Sequence, residues 1–241
     1  MNGYLDMHSH IIPGVDDGSE NLEMSKYLVD RSYEEGVRVM VATPHHYVGY
    51  KNASPEHIKR EFNALKEWAE EAHPDMRLLL GNEIYYKDEA INLLKEGKVF
   101  TMNESRYVLV EFNTGKPFEV LHNAITALTT AGYYPIIAHV ERYACVHKRK
   151  DLIRELVNAG AYIQVNTDTF TLGIFDAYRR YAYDLLNSGL VHFLGSDCHN
   201  PDRRPPLMEG AVKTMRKKAD PLILDRILNE NAEKFIAGEF I

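Results

Sequence analysis

Six short apolar runs in this chain each end in a residue able to bind a metal ion or an anion. They are Leu5-Asp6-Met7-His8-Ser9-His10, Val41-Ala42-Thr43-Pro44-His45-His46, Leu80-Gly81-Asn82-Glu83, Val108-Leu109-Val110-Glu111, Ile136-Ile137-Ala138-His139 and Leu194-Gly195-Ser196-Asp197-Cys198-His199. A single run of this kind carries little information. Six in series call for a fold in which many strands end at one place, as the strands of a parallel barrel do.

The intervening sequence supports that fold. Strands are expected at Tyr4–His8, Val37–Thr43, Arg77–Gly81, Tyr107–Glu111, Pro135–His139, Tyr162–Asn166 and Val191–Gly195. Most lack polar alternation, the pattern of parallel strands buried on both faces. Helices are expected at Leu22–Glu35, from Pro55 behind an Ser54 cap to Ala72, and at Phe118–Ala131, Asp151–Ala159 and Asp176–Ser188. Gly36, Gly132, Gly160 and Gly189 each stop a helix just before the next strand. In the first helix, Leu22, Tyr27, Leu28 and Val29 are expected to face the core. Met208–Lys217 and Pro221–Phe235 close the chain as helices. Seven strand–helix units make an α/β barrel of the (βα)7 kind. The sixth strand, ending Gln164-Val165-Asn166, brings only neutral polar groups to the rim.

With 241 residues, 45% of them hydrophobic, the chain can bury one large core, and residues 1–241 are expected to form a single domain. The net charge of −7 speaks against a nucleic-acid surface, which needs clustered Lys and Arg. Cys145 and Cys198 make neither a disulfide framework nor a CxxC pair. No secretory leader or membrane-length apolar run is visible, so a cytoplasmic protein without stable membrane insertion is expected.

His8 and His10 stand two residues apart beyond the first strand and can converge on one ion. Asp6 has two readings, a functional group at the site or a carboxylate that only orients a histidine ring. In Asp16-Asp17-Gly18-Ser19, Asp16 suits an Asx turn and Asp17 a ligand. His45 and His46 point to opposite faces of an extended segment, so one of them is expected at the site, and Pro44 favours His45. Glu83 and Glu111 each end an aliphatic strand, His139 ends the next, and Asp197 and His199 repeat the two-residue spacing. Five histidines and four acids, with no thiolate, exceed the needs of one ion. They suit two or three Mn, Fe, Zn or Mg ions rather than a structural zinc clasp, and hence a metal-dependent hydrolase. Arg142 and Arg204 follow strand ends, where a guanidinium can grip phosphoryl oxygens. His57, His73, His122, His147 and His192 are expected to be structural or exposed, and Trp68 to be core.

The series DxHxH, TPHH, GNEIYY, LVEF, AHxERY and SDxHN resembles the polymerase and histidinol phosphatase (PHP) superfamily. Within it, the chain resembles the manganese-dependent tyrosine-protein phosphatases of bacterial capsular and exopolysaccharide gene clusters. The resemblance runs from Asp6 to about Pro206. It implies a distorted (βα)7 TIM-like barrel (the PHP fold) and a trinuclear centre held by His8, His10, Asp17, His45, Glu83, Glu111, His139, Asp197 and His199. It also implies phosphate-binding roles for Arg142 and Arg204, Mn2+ as the metal, and a phosphotyrosine-bearing kinase of polysaccharide assembly as the partner. His46–Pro55 and Val146–Lys150 match none of the motifs.

The chemistry expected is in-line attack on phosphorus by a metal-bridging hydroxide, with the arginines stabilising charge. A phenolate with a pKa of ~10 leaves with little help from an acid, a task open to His46 or a metal-bound water. Three rivals stand beside this. Cys198 and Arg204 have the spacing of a thiolate phosphatase, but Pro201 and Asp202 spoil its phosphate loop. A small phosphomonoesterase such as histidinol-phosphate phosphatase would keep the fold. A metal-stabilised scaffold would bind the kinase without turnover.

Overall fold

The second and third expected strands end at Pro44 and at Gly81-Asn82, but the chain resumes as strand beyond each, at His45–Tyr47 and Glu83–Tyr85, and these two breaks set the shape of the sheet. The computed structural model describes residues 3–241. Its elements are β1 (Tyr4–Ser9), α1 (Leu22–Glu34), β2 (Val37–Ala42), β3 (His45–Tyr47), α2 (Pro55–Ala72), β4 (Arg77–Leu80), β5 (Glu83–Tyr85), α3 (Ala90–Lys95) and β6 (Tyr107–Glu111). They continue with α4 (Phe118–Thr130), β7 (Tyr134–Ile137), α5 (Lys150–Asn158), β8 (Tyr162–Asn166), α6 (Ala177–Asn187), β9 (Phe193–Gly195) and α7 (Glu209–Met215). The last are α8 (Pro221–Asp225), a π-helical turn at Arg226–Glu230, and α9 (Asn231–Ala237).

β2 with β3, and β4 with β5, are single strands bent once. Their lower halves pair as β1-β2-β4, and their upper halves join β3-β5-β6-β7-β8-β9, every pairing parallel. The ladder persists across the bends through Gly81 N to Ala42 O at 2.9 Å and Glu83 N to Pro44 O at 3.2 Å. Gly81 has no room for a side chain, because a Cβ there would lie 2.4 Å from Met102 Sδ. β1 meets β9 through the Ser9–Cys198 bridge and the Asp197 N to His8 O bond of 2.8 Å, which closes the ring. The result is a distorted (βα)7 barrel.

Alternation along each strand divides the core in two. On β6, Val108 and Val110 pack toward the helices, whereas Tyr107 and Leu109 join a second cluster with Met7, Val41, Ile136 and Phe193 that fills the barrel. Phe235 of α9 stoppers its lower end. There, Tyr107 OH donates to Glu239 O at 2.7 Å, and Asn231 Nδ2 donates to His192 O at 2.9 Å.

Three details depart from expectation. Leu22 and Tyr27 are exposed, at 37% and 46%, and α1 instead turns Ser25, Leu28, Val29 and Ser32 inward. The inner serines pair locally, Ser25 with Ser19 at 2.8 Å and Ser32 with the Leu28 carbonyl at 2.8 Å, so a close approach replaces an apolar contact. The short α3 was not expected. The fifth strand stops at Ile137 because His139 takes a left-handed backbone, φ 34°.

Candidate metal centre

The barrel's upper rim gathers all nine residues expected as ligands. Three groups of potential ligand atoms form there: His10, Asp17, His45 and His199; His8, His10, Glu83 and Asp197; and His45, Glu83 and Glu111. His139 joins through Nε2, 2.9 Å from Glu83 Oε1 and 3.7 Å from Glu111 Oε2. His10, Glu83 and His45 are each shared between two groups, so the three form one continuous cluster. His8, His10, Glu83 and Asp197 are buried, while Asp17 lies at the solvent edge, its side chain 68% exposed. His46 belongs to none of these groups.

Several rings are aimed by partners behind them. His10 Nδ1 lies 2.7 Å from Asp16 Oδ2, and His199 Nδ1 lies 2.9 Å from the Asp197 carbonyl. Each acceptor fixes a proton on Nδ1 and turns Nε2 the other way, the usual arrangement behind a metal-binding imidazole. His8 Nδ1 faces Gln164 Oε1 at 3.4 Å, and His8 Nε2 approaches His10 Nε2 to 3.0 Å. Two imidazole nitrogens converging among carboxylates in a dry rim suit a divalent cation held by N and O donors.

The charges agree. Burial pulls the His45 ring down, but Glu83 and Glu111 outweigh it and push it up to about 10. Burial likewise opposes the charging of His10, yet Asp16 holds it well above the imidazole range. Against the same cost of burial, His8 and its neighbours keep Glu83 and Asp197 well below the carboxylate range. The rim is a site that favours positive charge. His199 goes the other way, down to about 3, through burial together with His10 and Arg204, so the ring stays neutral. His139 and Asp197 (φ 54°) both adopt left-handed backbone, a strain that non-glycine residues tend to carry at functional sites.

Both arginines reach the same carboxylate. Arg142 Nη1 lies 3.4 Å from Asp197 Oδ2, and Arg204 pairs Asp197 through Nη2 while its Nη1 lies 2.8 Å from His199 Nε2. Arg142 also lines a cavity of about 470 Å³ with Tyr143, His147 and Tyr178.

Sequence reasoning missed some of the support. Asp16 does make the Asx turn, with Oδ1 accepting from Gly18 N at 3.0 Å, but its Oδ2 also serves His10 and accepts from His45 N at 3.0 Å. Gln164 Oε1 accepts from His139 N at 2.7 Å, and Asn166 Nδ2 donates to Asp197 Oδ2 at 2.8 Å, so the neutral sixth strand positions ligands. Two amides at alternate positions of an otherwise apolar strand were the available signal. Asp6 orients no ring. It accepts from the backbone of Ser196 at 2.8 Å and of His8 at 3.3 Å, and burial raises it to about 6.

The thiolate rival fails on geometry. Cys198 is fully buried, its thiol pushed up to about 12 chiefly by burial, whereas a nucleophilic cysteine needs a depressed pKa. Arg204 turns to Asp197 and His199 instead.

Fold and site together define a seven-unit βα barrel whose C-terminal rim carries a clustered histidine–carboxylate centre. The model of the capsular polysaccharide synthesis family CpsB/CapC matches residues 4–237, and the chain belongs to that family. The tyrosine-protein phosphatase CpsB of Streptococcus pneumoniae is 34% identical over 242 residues, covering 98% of this chain and 100% of that one. The tyrosine-protein phosphatase YwqE of Bacillus subtilis is 28% identical over 238 residues, covering 98% and 93%. A crystal structure from work on YwqE and S. pneumoniae CpsB, described as unique metal-dependent tyrosine phosphatases, superposes with a TM-score of 0.88 at 28% identity, covering 98% of this chain and 96% of that one. The histidinol phosphate phosphatase of Lactococcus lactis shares the fold, with a TM-score of 0.62 at 14% identity over 90% of this chain and 93% of its own.

Proposed function

We propose that this protein is a metal-dependent protein-tyrosine phosphatase, with residues 1–241 acting as one catalytic domain. The observation that carries this is the convergence of Arg142 and Arg204 on Asp197, at the edge of a nine-residue histidine–carboxylate cluster. Cations within a few ångströms of two guanidinium groups are what a phosphoryl group needs on its non-bridging oxygens.

His8, His10, Asp17, His45, Glu83, Glu111, His139, Asp197 and His199 would hold the ions. Manganese is the metal we favour, since oxygen and imidazole donors without thiolate suit it. When bound, the ions supply Lewis acidity and make water a nucleophile at neutral pH. Asp16, Gln164 and Asn166 keep the ligands aimed. Arg142 and Arg204 bind and orient the phosphoryl oxygens, Arg142 from the cavity side and Arg204 beside His199. The burial of His8, His10 and Glu83 excludes bulk water, so these charges act at low dielectric. A departing phenolate, with a pKa of ~10, needs little protonation. That agrees with His46, which burial keeps below its usual range and therefore uncharged near neutral pH.

The partner is a phosphotyrosine-bearing kinase of polysaccharide assembly, met in the cytoplasm. Among the described residues no helix is long and apolar enough to cross a membrane. The test is kcat/KM on a phosphotyrosyl peptide, on the same peptide phosphorylated at serine, and on histidinol phosphate. Preference for the first supports the proposal. Preference for histidinol phosphate would assign the barrel to small-molecule chemistry.

A further inference from the structure

The pairing of β3 with β5 sets His45 opposite Glu83 and, two residues on, Tyr47 opposite Tyr85. Residues two apart on a strand share a face, so the tyrosine pair lies above the ligand pair, further out by roughly 7 Å. The Tyr47 ring lies 5.0 Å from that of His45, 5.7 Å from Tyr85 and 6.5 Å from Tyr50. The rings stay open to solvent, with Tyr47 at 36% exposure and Tyr50 at 68%. They are also held in place. Asn52 Oδ1 accepts from Tyr47 N at 2.8 Å, and its Nδ2 donates to the Tyr47 and Tyr50 carbonyls at 3.0 and 2.9 Å. Three aromatic rings thus line the lip of a polar rim, the outermost, Tyr50, with Lys87 Nζ 4.9 Å from its centroid.

We propose that Tyr47 and Tyr85 form an aryl subsite that receives the ring of the substrate's phosphotyrosyl side chain and selects phenyl over alkyl phosphate esters. One bridging oxygen separates phosphorus from the ring of a phenyl phosphate. A phosphoryl group bound just outside His45 and Glu83 would therefore direct its ring toward the two tyrosines. Offset or edge-on packing of such rings is favourable beyond simple burial. The subsite deepens the phosphatase activity proposed above and rests on it.

The test is calorimetric binding of phenylphosphonate and methylphosphonate, neither of which can be hydrolysed, to metal-loaded protein. Wild type, Tyr47→Leu, Tyr85→Leu and Tyr47→Phe are compared, with bound metal measured for each. Wild type should prefer the phenyl compound, each Leu variant should lower that preference about 3- to 10-fold, and Tyr47→Phe should keep it. An unchanged preference in both Leu variants, or its loss in Tyr47→Phe, overturns the subsite. Should Tyr47→Leu fail to fold or load metal, Tyr85→Leu and Tyr47→Phe still decide. Turnover of a phosphotyrosyl peptide by wild type separates the two claims. Ring-selective binding without turnover defeats the phosphatase and leaves the subsite standing, whereas turnover without ring selectivity does the reverse.

Discussion

Arg142 and Asp16 illustrate two ways a single side chain can matter at this rim. Arg142 reaches the candidate ligand Asp197 only at 3.4 Å and is expected to act chiefly on substrate. Arg142→Ala should lower kcat/KM about 100- to 1,000-fold while the metal content measured by atomic absorption stays at the wild-type value, as when one charge-stabilising donor is lost. Full activity in that variant would remove Arg142 from the mechanism. Asp16 acts through His10 and the His45 backbone, so Asp16→Asn should weaken metal affinity about 10- to 100-fold, read by titration against a chelator. At this scale, residue type and spacing made much of the site legible. The nine ligands read from residue type and spacing at the strand ends all lie at the rim. The supporting groups were harder to see, because a carboxylate's two oxygens can serve two masters. One Asp16 oxygen makes the turn that the sequence announces, and the other reaches a ring whose proximity only the folded chain creates.

Elements behaved as their punctuation implied, with exceptions that have physical causes. Gly36, Gly132, Gly160 and Gly189 all carry positive φ at helix ends, the position their spacing suggested. The strands were expected to end at Thr43 and Gly81, and their continuations at His45–Tyr47 and Glu83–Tyr85 were not read, since periodicity does not show where a ladder changes partners. The facing of α1 was misjudged because Ser25 and Ser32 lie inward, satisfied by short local hydrogen bonds that a hydrophobicity pattern cannot register. The last residue of β9, Gly195, lies so close to β1 that a Cβ there would fall 2.6 Å from His8 Cβ. At the other end of that hairpinless turn into β9, His192 accepts from Ile163 N at 3.1 Å, and burial, with Arg226, drives it down to about 4. The folded ring stays neutral while the unfolded ring takes up a proton near pH ~6.5. The unfolded chain therefore binds more protons between those values, and stability falls as pH drops through about 6.5 to 4. His192→Gln should lose this contribution to the slope, about 3 kcal/mol across the window, in denaturant unfolding followed from pH 7 to 4. Parallel slopes for the two proteins would contradict it.

The whole molecule separates stability from chemistry along the barrel axis. The lower end is closed by aromatic packing, with the Phe235 ring 5.3 Å from Tyr107 and 5.8 Å from Phe193, while the upper rim holds the charges. Phe235→Ala should cost about 3–5 kcal/mol of stability and leave metal stoichiometry and low-temperature turnover near wild type. A variant that folds stably but has lost its metal would show the two ends to be coupled. Metal should add stability from above, about 2.7 kcal/mol at a free concentration 100 times its dissociation constant.

The most direct test of the central claim is phosphate release from a phosphotyrosyl peptide by purified protein, before chelation, after it, and after manganese is added back. The account predicts release that vanishes on chelation and returns with the metal. Release that persists after complete chelation would contradict it, since the nine-residue rim would then not be the source of the chemistry.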